Sequence, residues 1–272
     1  MDSALPTVTG LPWKGVKYFS TTRQGGVSAG PWSSLNLGLH TEDDGGHVAA
    51  NRRRLGAIVP SEPLWLKQVH GTDVFDADGM PEAVPDAAGP ALPPVADAAV
   101  TTAAGRVLAI MTADCLPVVL ASADGRVLGV AHAGWRGLAG GVLENTLLAM
   151  HRRAPGAVQW RAWVGPAISQ HHFEVGQDVH EAFIGADPGV AVFFAEKGGG
   201  KWLADLPSIA RYRLHNAGVA NIELSGQCTF GRSDLYYSFR RASTTGRLAT
   251  FAWLESPAGP EHRPGQVGSD LP

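Results

Sequence analysis

Three side chains in the sequence have the types and settings that could hold one metal ion. They are His70 in KQVHG, Cys115 in ADCLP and His132 in AHAGWRG, each at the predicted end of a strand beside small or polar neighbours. A thiolate with two imidazoles is a borderline-soft ligand set that favours zinc, and copper competes for the same ligands. Three protein ligands leave a fourth tetrahedral position open, so the pattern predicts a catalytic rather than a structural metal site.

A predicted hairpin brings Cys115 and His132 together. The apolar runs LPVVLAS and RVLGVA flank an Asp124-Gly125 turn, which is a strong hairpin signal. Counting back from the turn places residues 115 and 132 nearly opposite each other at the open end, where cross-strand Cβ atoms lie roughly 4.5–5.5 Å apart. His70 must then come from another strand. Spacing alone leaves an alternative open, in which Cys115 is a small buried hydrophobic residue.

Two charged residues adjoin these candidate ligands. Arg136 directly precedes an amphipathic helix predicted over 137–153, with apolar residues at 138, 142, 143, 147 and 150. An arginine beside a helix N-terminus could hold a phosphate, although a solvated surface role fits equally well. Asp114 could support a ligand histidine or simply form a turn.

The surrounding elements predict an α/β protein of the α+β type, because strands outnumber helices and several adjoin without a helix between them. Besides the hairpin, strands are predicted in VKYFSTTR, LWLKQVHGTDVF, DAAVTTAAG, RVLAIMTAD, VQWRAWVGPAI, KWLAD, IELSG, LYYSF and RLATFAWL. Further helices are predicted from Asp43 or Asp44, in VGQDVHEAFI, and before a C-cap at Gly218. We expect a single layered catalytic domain over 1–255, with mixed β-sheets flanked by helices. Residues 76–95 read as a surface loop and 256–272 as a disordered tail.

Composition narrows the functional class. With a net charge of −3, the chain has no overall positive field that would attract nucleic acid or an anionic membrane. The first twenty residues lack the pattern of a secretory signal, no apolar run is long enough to span a membrane, and two cysteines make no disulfide framework. Dinucleotide, phosphate-loop and nucleophile-elbow motifs are also missing. These features predict a cytoplasmic protein that acts on a small molecule.

A series of motifs resembles one bacterial family. In order from about residue 19 to residue 252 they are TTRQGGVS, PWSSLNLGLHTEDD, NRRRL, KQVHG, TADCLPV, HAGWRG, VGPAIS, FEVG, QCTFGRSDLYYSFRR and TGR. The chain thereby resembles the YfiH-like family, whose members are described variously as laccase-domain polyphenol oxidases, purine nucleoside phosphorylases and peptidoglycan editing factors. The resemblance implies one α/β domain with a central cleft, and a metal bound by His70, Cys115 and His132.

The resemblance also implies a substrate pocket. Arg23 and Asn36, with the glycine-rich loop 24–38, are expected to shape a nucleoside site, as are Gln68, Asp114 and Arg240. Gln68 and Arg240 could equally make structural hydrogen bonds, and the loop 24–38 could be an ordinary surface loop. His171 and His172 could suggest a second metal site, but adjacent side chains point apart in a strand, so we do not expect one. Cys228 is expected to be a core residue.

The favoured function is a zinc-dependent purine nucleoside enzyme, a phosphorylase for adenosine, inosine and methylthioadenosine and an adenosine deaminase. Its catalytic residues would be Cys115, His70, His132 and Arg136, its substrates a purine nucleoside and phosphate, and its state a monomer or weak homo-oligomer. One alternative is a cell-wall precursor hydrolase with Cys115 as nucleophile. Another is a copper-dependent polyphenol oxidase, which the lack of any H-x-H pair disfavours. The last alternative is a non-enzymatic interaction domain.

Overall fold

The computed structural model describes residues 5–79 and 92–256, which contain thirteen β-strands and five α-helices. The strands are β1 (Thr7–Val8), β2 (Val16–Thr21), β3 (Val74–Asp76), β4 (Ala98–Thr101), β5 (Leu108–Thr112), β6 (Leu116–Ser122), β7 (Leu128–Ala133), β8 (Trp160–Val164), β9 (Glu174–Val175), β10 (Phe194–Gly198), β11 (Lys201–Ala204), β12 (Asn221–Leu224) and β13 (Leu248–Leu254). The helices are α1 (Gly45–Leu55), α2 (Trp135–Gly140), α3 (Val142–Arg153), α4 (Gln177–Ile184) and α5 (Leu206–Asn216). The expected tail and most of the expected loop at 76–95 lie outside the described residues.

Three sheets organise the strands. The largest has the order β12-β8-β6-β7-β4-β3, in which the β12–β8 and β3–β4 pairs are parallel and the others antiparallel. A second sheet, β1-β2-β13-β5, is antiparallel throughout, as is the small sheet β10-β11-β9. One mixed sheet and two antiparallel sheets, together with the helices, confirm the predicted α+β class.

The two large sheets pack face to face between helices. Ile110 and Trp163 belong to the buried cluster that fills the space between these sheets. On the other face of the six-stranded sheet, α3 and α5 contribute Leu143 and Ile209 to a separate core. Helix α1 covers the outer face of the four-stranded sheet, where Leu55 joins a third cluster. The layers therefore run helix, sheet, sheet, helix, and the helices flank the sheets as predicted. Within the described ranges, no helix is long and apolar enough to cross a membrane.

Local predictions hold where pattern and turn chemistry agree. The hairpin β6–β7 is present, and α1 begins after Asp44, whose side chain accepts hydrogen bonds from the amides of Gly46 and His47. The predicted helix 137–153 is instead divided at Gly141, which has a left-handed φ of 99°. Glycine adopts this conformation readily, so the chain turns there and a second helix starts.

One predicted strand forms only at its end, where Val74 and Phe75 enter β3, and another is wrong. The segment from Leu64 makes only isolated bridges before β3, because the chain bends through a positive φ of 62° at His70. Residues 235–239 form turns and irregular backbone rather than a strand, with the amides of Leu235 and Tyr236 donating to the carbonyl of Arg232. Tyr236 and Tyr237 are fully buried there, so the apolar character of LYYSF reflects packing in a loop.

Candidate metal centre

His70, Cys115 and His132 converge in the folded chain. One ligand atom from each residue lies within 4.8 Å of the others, and Cys115 Sγ is 3.9 Å from His70 Nε2. Tetrahedral zinc geometry sets the sulfur–nitrogen distance at roughly 3.5 Å. Within the described ranges, this is the only group of three or more His, Cys, Asp or Glu residues arranged to hold a metal ion.

The strand register corrects one detail of the predicted arrangement. Pro117, not Cys115, pairs with His132, and Leu116 pairs with Ala133. Cys115 precedes Pro117 by two residues and so shares its side of the strand, where it lies diagonally from His132. The third ligand, His70, reaches the pair from the loop before β3 rather than from a strand.

The space between the ligands depends on Gly134, which links β7 to α2. A Cβ atom at this position would lie 2.8 Å from His70 Cδ2 and 3.1 Å from Cys115 Sγ. Either distance is closer than ordinary van der Waals contact. The glycine therefore leaves a cradle in which two of the ligands can approach each other, and the donor set fits a zinc-sized ion.

Asp97, which the sequence analysis missed, organises two of the three ligands. Its side chain is fully buried at the start of β4. Oδ1 accepts hydrogen bonds from His132 Nδ1 at 2.8 Å and from the His70 amide at 2.9 Å. Oδ2 accepts from the amides of Val69 and Gly71 at 3.0 and 2.7 Å.

This carboxylate sets the chemistry of His132. With Nδ1–H donated to Asp97, the Nε2 lone pair of His132 is available to a metal. Burial raises the pKa of Asp97, but the hydrogen bonds from His132 and the main-chain amides outweigh it and lower the pKa overall. An acidic residue inside the apolar run VADAAV was the one sequence signal for this role.

Without a metal ion, Cys115 and His132 shift each other's pKa. Burial raises the pKa of Cys115, but interactions with His132 and His70 outweigh it and lower the pKa to about 6. Burial lowers the pKa of His132, but Cys115 and Asp97 outweigh it and raise the pKa to about 9. In the metal-free protein these interactions favour the thiolate of Cys115 and the protonated form of His132.

Asp114 holds the turn that carries Cys115. Its φ is 97°, and its buried carboxylate accepts hydrogen bonds from Thr229 Oγ1, Ser238 Oγ and the Arg240 amide at 2.6 to 2.9 Å. Asp97, not Asp114, makes the contact with a ligand histidine. Asp114 instead ties the segment 229–240 to the metal centre, and its role in binding substrate stays a prediction.

Two other pocket candidates make structural hydrogen bonds. The Asn36 amide donates to Thr41 Oγ1 and Asp43 Oδ2, and it accepts from the amides of Gly38 and Arg247. These four bonds use both donors and both acceptor sites of the side chain. Gln68 pairs with the amide and carbonyl of Met111, at 2.8 Å each. It thereby fixes the segment leading to His70 along the edge of β5.

The three candidate arginines contact different groups. Arg23 donates to the carbonyls of Ser33 and Ser233, and Arg240 donates to the carbonyl of Glu174. Arg136 is exposed on α2, with its guanidinium 4.3 Å from the ring centre of its neighbour Trp135. Substrate contacts for these three arginines stay predictions.

The second histidine-rich segment is organised differently from the expectation. His171 and His172 lie in a short 3-10 helix rather than a strand. His172 Nδ1 is 3.5 Å from Cys228 Sγ, and Ser169 Oγ–H donates to the same sulfur at 3.1 Å. Cys228 is only half-buried, so it is not a core residue.

Comparison with known proteins gives a consistent assignment. Residues 17–255 match a family described as multi-copper polyphenol oxidoreductase laccase. The chain is 45% identical over 243 residues to the purine nucleoside phosphorylase YfiH of Escherichia coli, covering 89% of this chain and 95% of that protein. It is also 45% identical over 251 residues to a purine nucleoside phosphorylase of Xylella fastidiosa, covering 89% and 94%.

Solved structures extend the likeness to the whole fold. A Neisseria meningitidis protein, NMB0706, superimposes with a TM-score of 0.82 at 42% identity, covering 93% of this chain and 99% of that one. YlmD from Geobacillus stearothermophilus gives 0.78 at 30% identity, covering 91% and 94%. Sequence, motifs and fold agree, and the chain belongs to the YfiH-like family of laccase-domain proteins.

Proposed function

We propose that this protein is a zinc-dependent purine nucleoside enzyme that cleaves adenosine, inosine and methylthioadenosine with phosphate and deaminates adenosine. The observation that carries the proposal is the convergence of His70, Cys115 and His132 on one point, with His132 oriented by the buried Asp97. Relatives at 45% identity that are named purine nucleoside phosphorylases support the substrate class.

The ligand atoms would be Cys115 Sγ and the Nε2 atoms of His70 and His132. Zinc bound there would supply Lewis-acid chemistry, polarising a substrate oxygen or lowering the pKa of water toward about 7. His132 is buried, whereas His70 is exposed, so the ligand set is open to solvent on the His70 side. A nucleoside would approach from that side.

Both reactions need groups that this site can position. In phosphorolysis a phosphate oxygen bonds to the ribose C1′ as the C1′–N9 bond breaks, and the departing base takes up a proton. In deamination water adds to C6 of adenine and ammonia leaves. Asp97 contributes by holding the His70 loop and His132 in place before substrate arrives, so little reorganisation is needed during the reaction.

The test combines metal content with turnover. Protein purified without added metal should contain about one zinc per chain, the stoichiometry of a three-ligand catalytic site. It should release hypoxanthine from inosine only when phosphate is present. Cys115→Ala should lose both metal and activity, whereas Cys228→Ala, the matched control at the other cysteine, should keep both. Absence of phosphate-dependent base release from the metal-loaded wild type would refute the nucleoside function.

A second candidate function rests on the low pKa of Cys115. A thiolate beside a protonated His132 is also the starting state of a cysteine hydrolase, which could act on a cell-wall precursor. Such an enzyme would keep its activity after chelation and would lose it after alkylation of Cys115. The nucleoside enzyme would be inactivated by both treatments, so the chelated protein separates the two functions.

A further inference from the structure

Two arginines lie near the metal centre on the α1 face of the four-stranded sheet. Leu248 of β13 pairs with Thr112 of β5, which places Arg247 beside the turn that leads to Cys115. Arg247 shares a strand face with Ala249 and Phe251, both of which pack beneath α1.

Arg52 reaches the same region from helix α1. Its Nη2 atom lies 4.0 Å from the Met111 sulfur on β5, and its guanidinium sits 3.9 Å from the ring centre of Trp65. Arg52 donates twice to the Leu37 carbonyl, and Arg247 packs against Gly38, so the two arginines flank the segment 37–38.

The positive charge of these side chains has no close protein partner. Among the described residues, no carboxylate oxygen lies within 4 Å of either guanidinium. Their hydrogen bonds go to main-chain carbonyls, those of Leu37 for Arg52 and those of Thr245 and Gly246 for Arg247. Three guanidinium nitrogens donate to no acceptor among the described residues: Arg247 Nε, Arg247 Nη2 and Arg52 Nη1. None of them is buried without a hydrogen-bond partner. These nitrogens therefore remain accessible.

Both arginine charges are held in partly buried surroundings. Burial lowers the pKa of Arg52 and of Arg247. Like charges held together at a partly buried site are stabilised when an anion binds between them.

We propose that Arg52 and Arg247 form the binding site for inorganic phosphate, on the side of the metal centre where β5 ends and β13 begins. Guanidinium groups suit this ligand because their planar N–H pairs match two phosphate oxygens at once. The proposal rests on the proposed function, since phosphate is its second substrate. The proposed site does not include Arg136, the phosphate-binding candidate from the sequence, which lies on the separate helix α2 and is exposed.

The direct test measures the binding of inorganic phosphate to the metal-loaded protein by calorimetry, without turnover. Arg247→Gln should weaken binding about tenfold or more, as expected for the loss of a charged hydrogen-bonding partner. Arg136→Gln should change it less than about twofold. Arg53→Gln, which removes an exposed neighbouring charge on α1, is the matched control for net charge. Unchanged binding in Arg247→Gln, or a loss confined to Arg136→Gln, would overturn the proposal.

A folding control and a second ligand distinguish the possible outcomes. Thermal unfolding and zinc content identify a variant that fails to fold, and Arg52→Gln then serves as the second variant with the same expected direction. Adenosine 5′-monophosphate is measured beside phosphate: if it binds tightly through Arg247 and phosphate does not, the site takes a phosphoryl group of the substrate and the proposal is wrong. Phosphate binding through Arg247 without cleavage of inosine would leave this site standing and remove the proposed function.

Discussion

At the residue scale, one carboxylate connects two ligands that are distant in sequence. Asp97 accepts hydrogen bonds from three main-chain amides in the loop of His70 and from the ring N–H of His132. A neutral amide could not replace it, because its NH₂ group would face a hydrogen-bond donor. The geometry of the candidate metal centre thus depends on a residue that is not one of the candidate ligands.

Asp97→Asn should therefore lower zinc affinity by roughly 10- to 100-fold, the usual effect of removing a partner that orients a metal ligand. Competition with a chromogenic chelator measures the affinity directly. Asp78→Asn is a matched control, because Asp78 also accepts several hydrogen bonds, from Thr101 and Thr102, beyond the end of β4. If both variants bind zinc like the wild type, Asp97 has only a structural role.

The lowered pKa of Cys115 predicts an unusual alkylation profile in metal-free protein. Thiolate is the reactive form, so in a Cys228→Ser background the iodoacetamide rate should rise with pH around about 6, the pKa of this thiol. An ordinary cysteine titrates near about 8.5. The reaction should slow below pH about 6, where the thiol is protonated, and added zinc should protect it. A midpoint above pH about 8 would contradict the thiolate assignment.

At the element scale, the centre is assembled where several segments meet at one end of the sheets. The loop before β3 brings His70, the turn before β6 brings Cys115, and the end of β7 brings His132. The β7–α2 junction then has to pass close to two of these ligands. Gly134 permits that approach because it has no side chain.

Gly134→Ala should consequently impair metal binding more than folding. Its new methyl group would press on His70 and Cys115, and one of them must move away from the ligand position. We expect reduced zinc content at nearly unchanged secondary structure, measured by elemental analysis and circular dichroism. Gly45→Ala is the control, since a Cβ there meets no atom within 4 Å. Full zinc occupancy in Gly134→Ala would contradict this prediction, because it would show that the β7–α2 junction accommodates a side chain.

At the scale of the whole molecule, stability comes from cores on both faces of each large sheet. Ile110 lies in the core between the sheets and is fully buried. Strands β5, β6 and β7 carry no exposed residue, which makes them a rigid support for the metal centre at their ends.

Ile110→Ala should lower the free energy of unfolding by about 2–5 kcal/mol, because it removes buried methyl groups and leaves a cavity between packed sheets. Urea denaturation followed by tryptophan fluorescence measures the change. Val158→Ala, at a position 86% exposed, should stay within about 0.5 kcal/mol of the wild type. Similar effects at both sites would mean that the inter-sheet core is not tightly packed.

Local patterns made much of the fold and the ligand set predictable from the sequence. An Asp-Gly turn between apolar runs determines the β6–β7 hairpin, and Asp44 before a helical pattern determines the start of α1. The candidate ligands were recognisable because histidine and cysteine stood beside small or polar residues within distinctive motifs. Where local signals were ambiguous, as in LYYSF, tertiary packing decided the conformation.

The tertiary structure alone decided which groups support the ligands. Asp97 lies 27 residues from His70 and 35 from His132, and Arg247 is more than 100 residues from Cys115. No local periodicity encodes such contacts, because they arise only when two sheets and their connecting loops pack together. The sequence by itself thus determined the kinds of donors available, and the packing of distant segments decided their geometry and the charges around them.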